Sequence, residues 1–219
     1  MTTTTAVPAD RKAVLQRRIR WVVAFTIGYN LVEAVVSVVA GSAASSTALI
    51  GFGLDSFIEV LSAAAVAWQF TRTNPERHEK PVLRVIAVAF FLLAAYVTAS
   101  AILSLTGVLN AERSTVGIIV TALSIIVMPV LSLIERRTGR ELGSATAVAD
   151  SKQTLICTYL SAAVLIGLLL NVLFGWAWAD PIAALVIVVF AIREGIEAWR
   201  GETDTPVGLL VNDDAETTS

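Results

Sequence analysis

The sequence predicts an all-α membrane protein, a bundle of six transmembrane helices with both termini in the cytoplasm. Of the 219 residues, 56% are hydrophobic and only 16% are charged, whereas about a quarter of the residues in a soluble domain are charged. Six apolar stretches of about 20 residues recur, each long enough to cross the roughly 30 Å hydrocarbon core of a bilayer. Lys and Arg gather in alternate connections between these stretches, which indicates the orientation of the bundle.

The chain divides into a membrane domain and two polar tails. No small-residue cleavage site follows a short apolar core, so we interpret residues 1–20 as a retained, basic cytoplasmic tail and not a signal peptide. Residues 21–200 form the transmembrane domain, and residues 201–219 are predicted to be a flexible acidic tail. The predicted spans are 21–40, 46–70, 82–107, 115–134, 149–174 and 179–198.

The basic residues and the tryptophans support this topology independently. Of the 16 Lys and Arg residues, all but Arg113 lie on one predicted side of the membrane, which places both termini in the cytoplasm. Tryptophan prefers the headgroup level of a bilayer. All five tryptophans fall at predicted span ends, namely Trp21, Trp68, Trp176, Trp178 and Trp199.

Two acidic residues lie deep in the second predicted span. Asp55 and Glu59 are four residues apart, so they share one helix face and are within reach of one common cation. Two like charges this close in a low dielectric cannot both stay ionised without compensation, so one is protonated or a positive ion lies between them. No Lys or Arg lies near the middle of any predicted span, which favours a functional site over a structural ion pair.

Polar residues also form stripes on the fifth and first predicted spans. Asp150, Gln153 and Cys157 follow one another at helical spacing, although a glutamine can simply hydrogen-bond across helices and a membrane cysteine can be a small buried hydrophobe. Asn30 and Glu33 are one turn apart on the first span. Glu33 fits equally a carboxylate that supports metal ligands, a proton carrier and a helix-packing group.

These residues resemble the cation diffusion facilitator family, membrane exporters of divalent metals. The resemblance covers nearly all of residues 25–200 and rests on Leu54-Asp-Ser-Phe-Ile-Glu59, on Ala149-Asp-Ser-Lys-Gln-Thr-Leu-Ile-Cys157, and on the segments Glu33–Ser42 and Asp180–Leu185. It implies that a pair on helix 2 and a pair on helix 5 form one metal site. The implied ligands are Asp55, Glu59, Gln153 and Cys157, with Asn30, Glu33 and Asp150 as supporting residues or a proton pathway.

The chain also departs from that family's usual pattern. Gln153 and Cys157 stand where His and Asp, or two Asp, are usual, and Glu59 replaces Asp. A His-rich loop and the family's cytoplasmic metal-binding C-terminal domain have no counterpart, so we expect a minimal, divergent branch. One Cys and one His exclude an internal disulfide, a multi-cysteine zinc site and a site built from several histidines.

The expected substrate is a divalent metal ion. Carboxylates with one thiolate suit zinc, and cobalt, iron or cadmium also fit, whereas a protonated thiol makes manganese plausible. Metal binding releases protons from the ligands, which predicts proton antiport. The sequence has no Walker-type glycine loop for a nucleotide. The resemblance further implies metal export, a homodimer and, for a bacterial chain, the plasma membrane; we expect lipid, metal and protons as partners and no nucleic acid.

Two other classes of function remain open on the sequence alone. One is a metal-binding membrane sensor or accessory protein that does not transport. The other is a proton-coupled exporter of small organic cations that uses Glu33 or Glu59 as its carboxylate, which would require an aromatic-lined cavity. An enzyme is the least consistent class, because the spans contain no nucleophile–base pair.

Overall fold

The computed structural model consists of six α-helices, and no strand occurs among the residues it describes, which are 9–70, 75–142 and 145–201. Within these ranges the side chains of residues 9, 10, 12, 66–70, 75–79, 145–147, 149 and 150 are not described. The predicted all-α, six-helix fold is confirmed. The helices are α1 (Ala9–Ala43), α2 (Thr47–Phe70), α3 (Pro75–Leu105), α4 (Thr115–Leu142), α5 (Ala145–Phe174) and α6 (Ala179–Arg200).

Five of these helices, α1 to α5, contain segments long and apolar enough to cross a membrane. Helix α6 has 22 residues, which at 1.5 Å per residue extend about 33 Å and are also sufficient in length. It differs in charge, because Arg193, Glu194 and Glu197 lie close together in its second half. Of these three, Glu194 is buried inside the bundle, and Arg193 and Glu197 form an ion pair with an N–O distance of 2.8 Å.

Several helices extend beyond the predicted spans. Residues 9–20, predicted as a tail, belong to α1, α3 begins at Pro75 and not at residue 82, and α4 continues to Leu142. The reason is that hydropathy detects only the part of a helix that lies in hydrocarbon, whereas Lys, Arg, Gln and Glu are good helix formers and continue the hydrogen-bonded ladder outside it. Residues 1–8 and 202–219 of the predicted tails lie outside the described residues.

Three helix pairs, α1 with α2, α3 with α6 and α4 with α5, make the most extensive contacts. Short connections join successive helices, so neighbours run antiparallel. Ala9 and Arg200 therefore lie at the same end of the bundle, which we call the terminal end. Helix α2 also packs on α3 and α6 but touches α5 at few points, which leaves room between α2 and α5.

Asp180 connects the start of α6 to the start of α2 at the end opposite the termini. Its side chain is fully buried and accepts hydrogen bonds from the Ser46 hydroxyl and from the Ala48 backbone N–H, at 3.2 Å for the latter. A carboxylate at a helix N-terminus satisfies backbone donors that have no partner within the helix and interacts favourably with the helix dipole. This contact holds the first residues of α2 and α6 at the same level.

A close approach between α1 and α2 fixes the next part of α2. A Cβ atom added to Gly53 would lie 2.9 Å from the Ala34 carbonyl oxygen and 2.9 Å from the Ser37 Cβ. Small residues allow helix backbones to approach in this way inside a membrane. The contact lies between the Asp180 connection and Glu59, so it sets how α2 presents its acidic face to α1.

Four of the five tryptophans are exposed: Trp176, Trp178 and Trp199 at or near helix ends, and Trp21 within α1, where the first predicted span begins. The rings of Trp176 and Trp178 stack with their centroids 5.2 Å apart. Exposed aromatic rings at these positions agree with placement at the two interfaces of a bilayer. The side chain of Trp68 lies outside the described residues.

The cytoplasmic location of both termini stays a prediction, and it can be tested by cysteine labelling. Asn110 and Lys80 are exposed near opposite ends of α3. We expect an Asn110→Cys variant to react with a membrane-impermeant maleimide in intact cells, and a Lys80→Cys variant to react only after permeabilisation. The wild type, whose single cysteine is buried, gives the background. The reverse labelling pattern would place the termini outside.

Removal of the Asp180 carboxylate is expected to destabilise the bundle. An Asp180→Ala variant leaves the buried Ala48 N–H without this acceptor, which costs about 1–3 kcal/mol. The midpoint of thermal unfolding in detergent should fall clearly below that of the wild type. Glu112→Ala is the control, because Glu112 is an exposed carboxylate at the same end; equal midpoints for the two variants would contradict a stabilising role for Asp180.

Candidate metal site

Glu59 lies near the middle of α2, and its two carboxylate oxygens accept hydrogen bonds from two other helices. Oε1 accepts from the Cys157 thiol at 2.8 Å and from the Gln153 amide at 3.3 Å, both on α5. Oε2 accepts from the Asn30 amide on α1 at 3.0 Å. All three donors are uncharged. The side chain of Glu59 is therefore the point at which α1, α2 and α5 meet.

Glu59, one member of the predicted pair on α2, thus faces both members of the predicted pair on α5. Gln153 and Cys157 are one turn apart on α5, and both side chains turn toward α2. Cys157 is buried and is not in a disulfide. The alternative in which Cys157 is only a small buried hydrophobe does not account for its hydrogen bond to a carboxylate. The interhelical hydrogen bond considered for Gln153 is present, and its acceptor is the predicted ligand Glu59.

Asp55 lies one turn before Glu59 on α2 and is buried, with 6% of its surface exposed. Its carboxyl group is close enough to those of Glu33 and Glu194 to interact with them electrostatically, and it interacts with Glu59 in the same way. Four carboxyl groups therefore share one region of the bundle. Acidic groups brought together in a low dielectric favour a proton or a cation near them.

Glu33 has hydrogen-bond partners different from those of Glu59. It is buried on α1 and accepts from the Ser56 hydroxyl on α2 at 3.1 Å and from the Ser124 hydroxyl on α4. The Tyr29 hydroxyl in turn lies 3.5 Å from the Ser124 oxygen. Glu33 thereby joins α1, α2 and α4. Its contacts agree with the helix-packing role among the three that the sequence left open, while a role in proton transfer stays a prediction.

A cavity of about 140 Å³ lies beside Glu59, and every helix contributes to its lining. On α1 the lining runs from Asn30 back to Val23, and on α2 it runs from Glu59 to Ala63. Both directions lead toward the terminal end. The cavity thus extends from Glu59 into the half of the bundle that holds the termini. Asp55 does not line it.

The polar lining of this cavity comes from α1, α2, α5 and α6. Asn30 Oδ1 and Ser62 Oγ are buried in it and have no hydrogen-bond partner among the described residues. Among the described side chains, no Lys or Arg belongs to the lining. The residues with carboxyl, amide, thiol or hydroxyl groups are Thr26, Asn30, Glu59, Ser62, Gln153, Thr154, Cys157 and Glu194.

The described residues contain no cluster of three or more His, Cys, Asp or Glu side chains arranged to hold a metal. Glu59 and Cys157 are two such groups in direct contact, and the oxygens of Gln153 and Asn30 are the other potential ligands beside them. A metal bound here would therefore use a mixed set of carboxylate, thiolate and amide donors. Asp150 belongs to α5, but its side chain lies outside the described residues, so its predicted role stays untested.

Sequence reasoning missed Glu194. It stands between Arg193 and the nearby Glu197, so it resembled one of the charges that end a membrane span. A signal was available, because Glu194 follows the small or apolar residues Ile187 and Ala191 at helical spacing. Both of these are buried, and residues at such spacing share one face of a helix.

Comparison with known proteins shows the family to which the chain belongs. Residues 23–200 match the family described as the cation efflux transmembrane domain. The chain belongs to the cation efflux family. The resemblance to cation diffusion facilitators that the sequence indicated is thereby confirmed, and the match begins and ends within a few residues of the predicted transmembrane domain.

One curated cation efflux protein gives a partial alignment. The cation-efflux pump FieF of Shewanella oneidensis is 30% identical over 86 residues, which are 39% of this chain and 29% of the pump. The chain therefore aligns with less than a third of the length of that relative. Cation efflux proteins are multi-pass membrane transporters, which agrees with the predicted integral membrane location and with the expectation of a non-enzyme.

Proposed function

We propose that this cation efflux protein exports a divalent metal ion, with zinc as its main substrate, in exchange for protons. The observation that carries the proposal is the position of Glu59. Its carboxylate lies within a membrane-spanning helix, accepts hydrogen bonds from the neutral side chains of Asn30, Gln153 and Cys157 and from no charged side chain that the structure describes, and borders a cavity. An intramembrane carboxylate without a protein cation is the expected feature of a cation pathway.

The chemistry of the donors supports zinc as the substrate. The proposed ligands are Asp55, Glu59, Gln153 and Cys157, which offer carboxylate, amide and thiolate donors for the tetrahedral geometry that zinc prefers. A thiolate disfavours magnesium and calcium and also suits cobalt, iron and cadmium. Manganese fits if Cys157 remains a thiol. We propose Asp55 as the second carboxylate ligand because it lies one turn from Glu59 on α2 and adds to the same negative potential.

Proton exchange follows from the competition between protons and metal for these ligands. The thiol of Cys157 donates a hydrogen bond to Glu59, so this pair of side chains holds at least one proton. Metal binding requires the thiolate and the carboxylate, and the displaced protons must leave. A proton gradient directed into the cell would then drive metal outward without a nucleotide.

The position of the cavity supports alternating access. It leads from Glu59 toward the terminal end, while the opposite end is packed, with buried Leu49 and Phe52 of α2 against Val97 and Ile187. We propose that this is the conformation that receives metal from the cytoplasm and that movement between helix pairs exposes the same site to the other side. We also propose that the protein forms a homodimer in the bacterial plasma membrane through contacts between its membrane helices.

The size and lining of the cavity favour a metal over the other two functions considered. Sites for drug-sized molecules usually measure about 300–1,000 Å³, whereas this cavity measures about 140 Å³ and its only aromatic lining residue among those described is Phe90. An organic cation would thus find little room and little aromatic surface. A non-transporting sensor would bind metal but give no flux, and transport assays on proteoliposomes distinguish that case.

Neutralisation of Glu59 is expected to abolish transport. A Glu59→Gln variant keeps the size of the side chain but removes the charged ligand, so zinc uptake and zinc-dependent proton release in proteoliposomes should fall at least tenfold. Asp55→Asn should also weaken both. Glu112→Gln is the matched control, because it neutralises an exposed carboxylate distant from the cavity. Wild-type transport by correctly folded Glu59→Gln protein would exclude this site.

Substitution of Cys157 is expected to change metal preference. A Cys157→Ser variant replaces a soft thiolate by a hard hydroxyl of similar shape, so the affinity for zinc and cadmium should fall more than the affinity for manganese. Isothermal titration of the purified protein with each metal measures the ratio. If all three affinities change by the same factor, Cys157 is not a metal ligand.

A further inference from the structure

Glu194 brings a second carboxylate into the cavity, from a helix that the predicted site does not include. It lies on α6, is 7% exposed, and lines the same cavity as Glu59. The adjacent Arg193 pairs with Glu197 at 2.8 Å and does not line the cavity. The cavity therefore has one carboxylate on α2 and another on α6.

The levels of Glu194 and Glu59 along the bundle can be compared because Asp180 and Ala48 are hydrogen-bonded to each other. From this common level, Glu194 is 14 residues along α6 and Glu59 is 11 residues along α2. At 1.5 Å per residue, Glu194 lies about 4–5 Å nearer the terminal end. A cation that enters from that end meets Glu194 before it meets Glu59.

Asn30 gives an independent indication that this cavity accepts a cation. Asn30 is 6% exposed and lines the cavity, its amide nitrogen donates to Glu59, and its Oδ1 is buried without a hydrogen-bond partner among the described residues. A buried acceptor without a donor is costly unless a ligand satisfies it. A carbonyl oxygen and a carboxylate are both hard donors suited to a metal ion or to its bound water.

The volume of the cavity fits a cation that keeps part of its hydration shell. One water molecule occupies about 30 Å³ in the liquid, so about 140 Å³ corresponds to several waters. A bare metal ion bound to Glu59 alone would leave most of this space unused. The space is instead suited to an ion that exchanges waters for protein ligands as it moves inward.

We propose that Glu194 is an entry ligand that, with Asn30 Oδ1, holds the partly hydrated metal ion before it passes to Glu59, Gln153 and Cys157. This inference rests on the proposed transport function and adds α1 and α6 to the metal path. Removal of Glu194 should impair capture of the ion from the terminal end and leave the later steps intact. It should therefore raise KM and leave the maximal rate nearly unchanged.

The test compares zinc uptake by proteoliposomes that contain the wild type, Glu194→Gln, Glu194→Asp or Glu141→Gln. Glu141 is an exposed carboxylate at the terminal end that pairs with Arg11 on the surface, so its variant controls for the loss of negative charge at that end. We expect Glu194→Gln to raise the KM for zinc about tenfold with a maximal rate within about twofold of wild type. Glu194→Asp should give an intermediate KM, and Glu141→Gln should match the wild type.

Two results with a folded Glu194→Gln protein overturn the inference. A Glu194→Gln protein with the same KM as Glu141→Gln would show that Glu194 does not meet the ion. A lower maximal rate at unchanged KM would assign Glu194 a structural role. If Glu194→Gln does not fold, as judged by gel filtration and thermal unfolding, Glu194→Asp decides: a raised KM supports the inference and a wild-type KM overturns it. If Glu59→Gln loses transport while Glu194→Gln behaves like the wild type, the inference about Glu194 fails but the proposed function stands.

Discussion

The structure depends on a carboxyl group in the interior of a membrane domain whose hydrogen-bond donors are all neutral. An acidic side chain at the centre of a transmembrane helix costs about 2.5–3.5 kcal/mol on insertion scales. The amides of Asn30 and Gln153 and the thiol of Cys157 reduce this cost for Glu59, but none of them supplies a positive charge. The charge of Glu59 is therefore compensated only by a proton or by a guest cation, which is a metal ion in the proposed function.

The packing of the helices places Glu59 of α2 in the interior and leaves the cavity beside it open. Asp180 holds the start of α2 against α6, and Gly53 brings the following turn against α1. Helix α5 packs mainly on α4 and makes few contacts with α2. The side chains of Gln153 and Cys157 therefore reach Glu59 although the two helices are not closely packed. A fully packed contact between α2 and α5 would satisfy Glu59 equally well but would leave no room for an ion.

The buried acidic residues of this region have different surroundings. Glu33 accepts hydrogen bonds from two serine hydroxyls, on α2 and α4, and does not line the cavity, which agrees with a role in helix packing. Glu59 and Glu194 line the cavity, where a guest cation can reach them. The same type of side chain thus serves packing in one place and cation binding, as proposed, in another, because the packing of neighbouring helices decides which groups face open space.

The sequence by itself determined the six helices, the apolar character of the bundle and the two separate polar stripes, Asp55 with Glu59 on α2 and Gln153 with Cys157 on α5. These features depend on hydropathy and on the 3.6-residue period, which act over a few turns of one helix. Only the tertiary structure decided that Asn30 donates to Glu59, that Glu33 turns to Ser124, and that Glu194 shares the cavity. Such relations depend on how the helices are rotated and how far they are shifted relative to one another. Contacts between residues distant in the chain set this arrangement, such as that of Ser46 with Asp180, 134 positions apart. A local sequence pattern contains no information about contacts between residues so far apart in the chain.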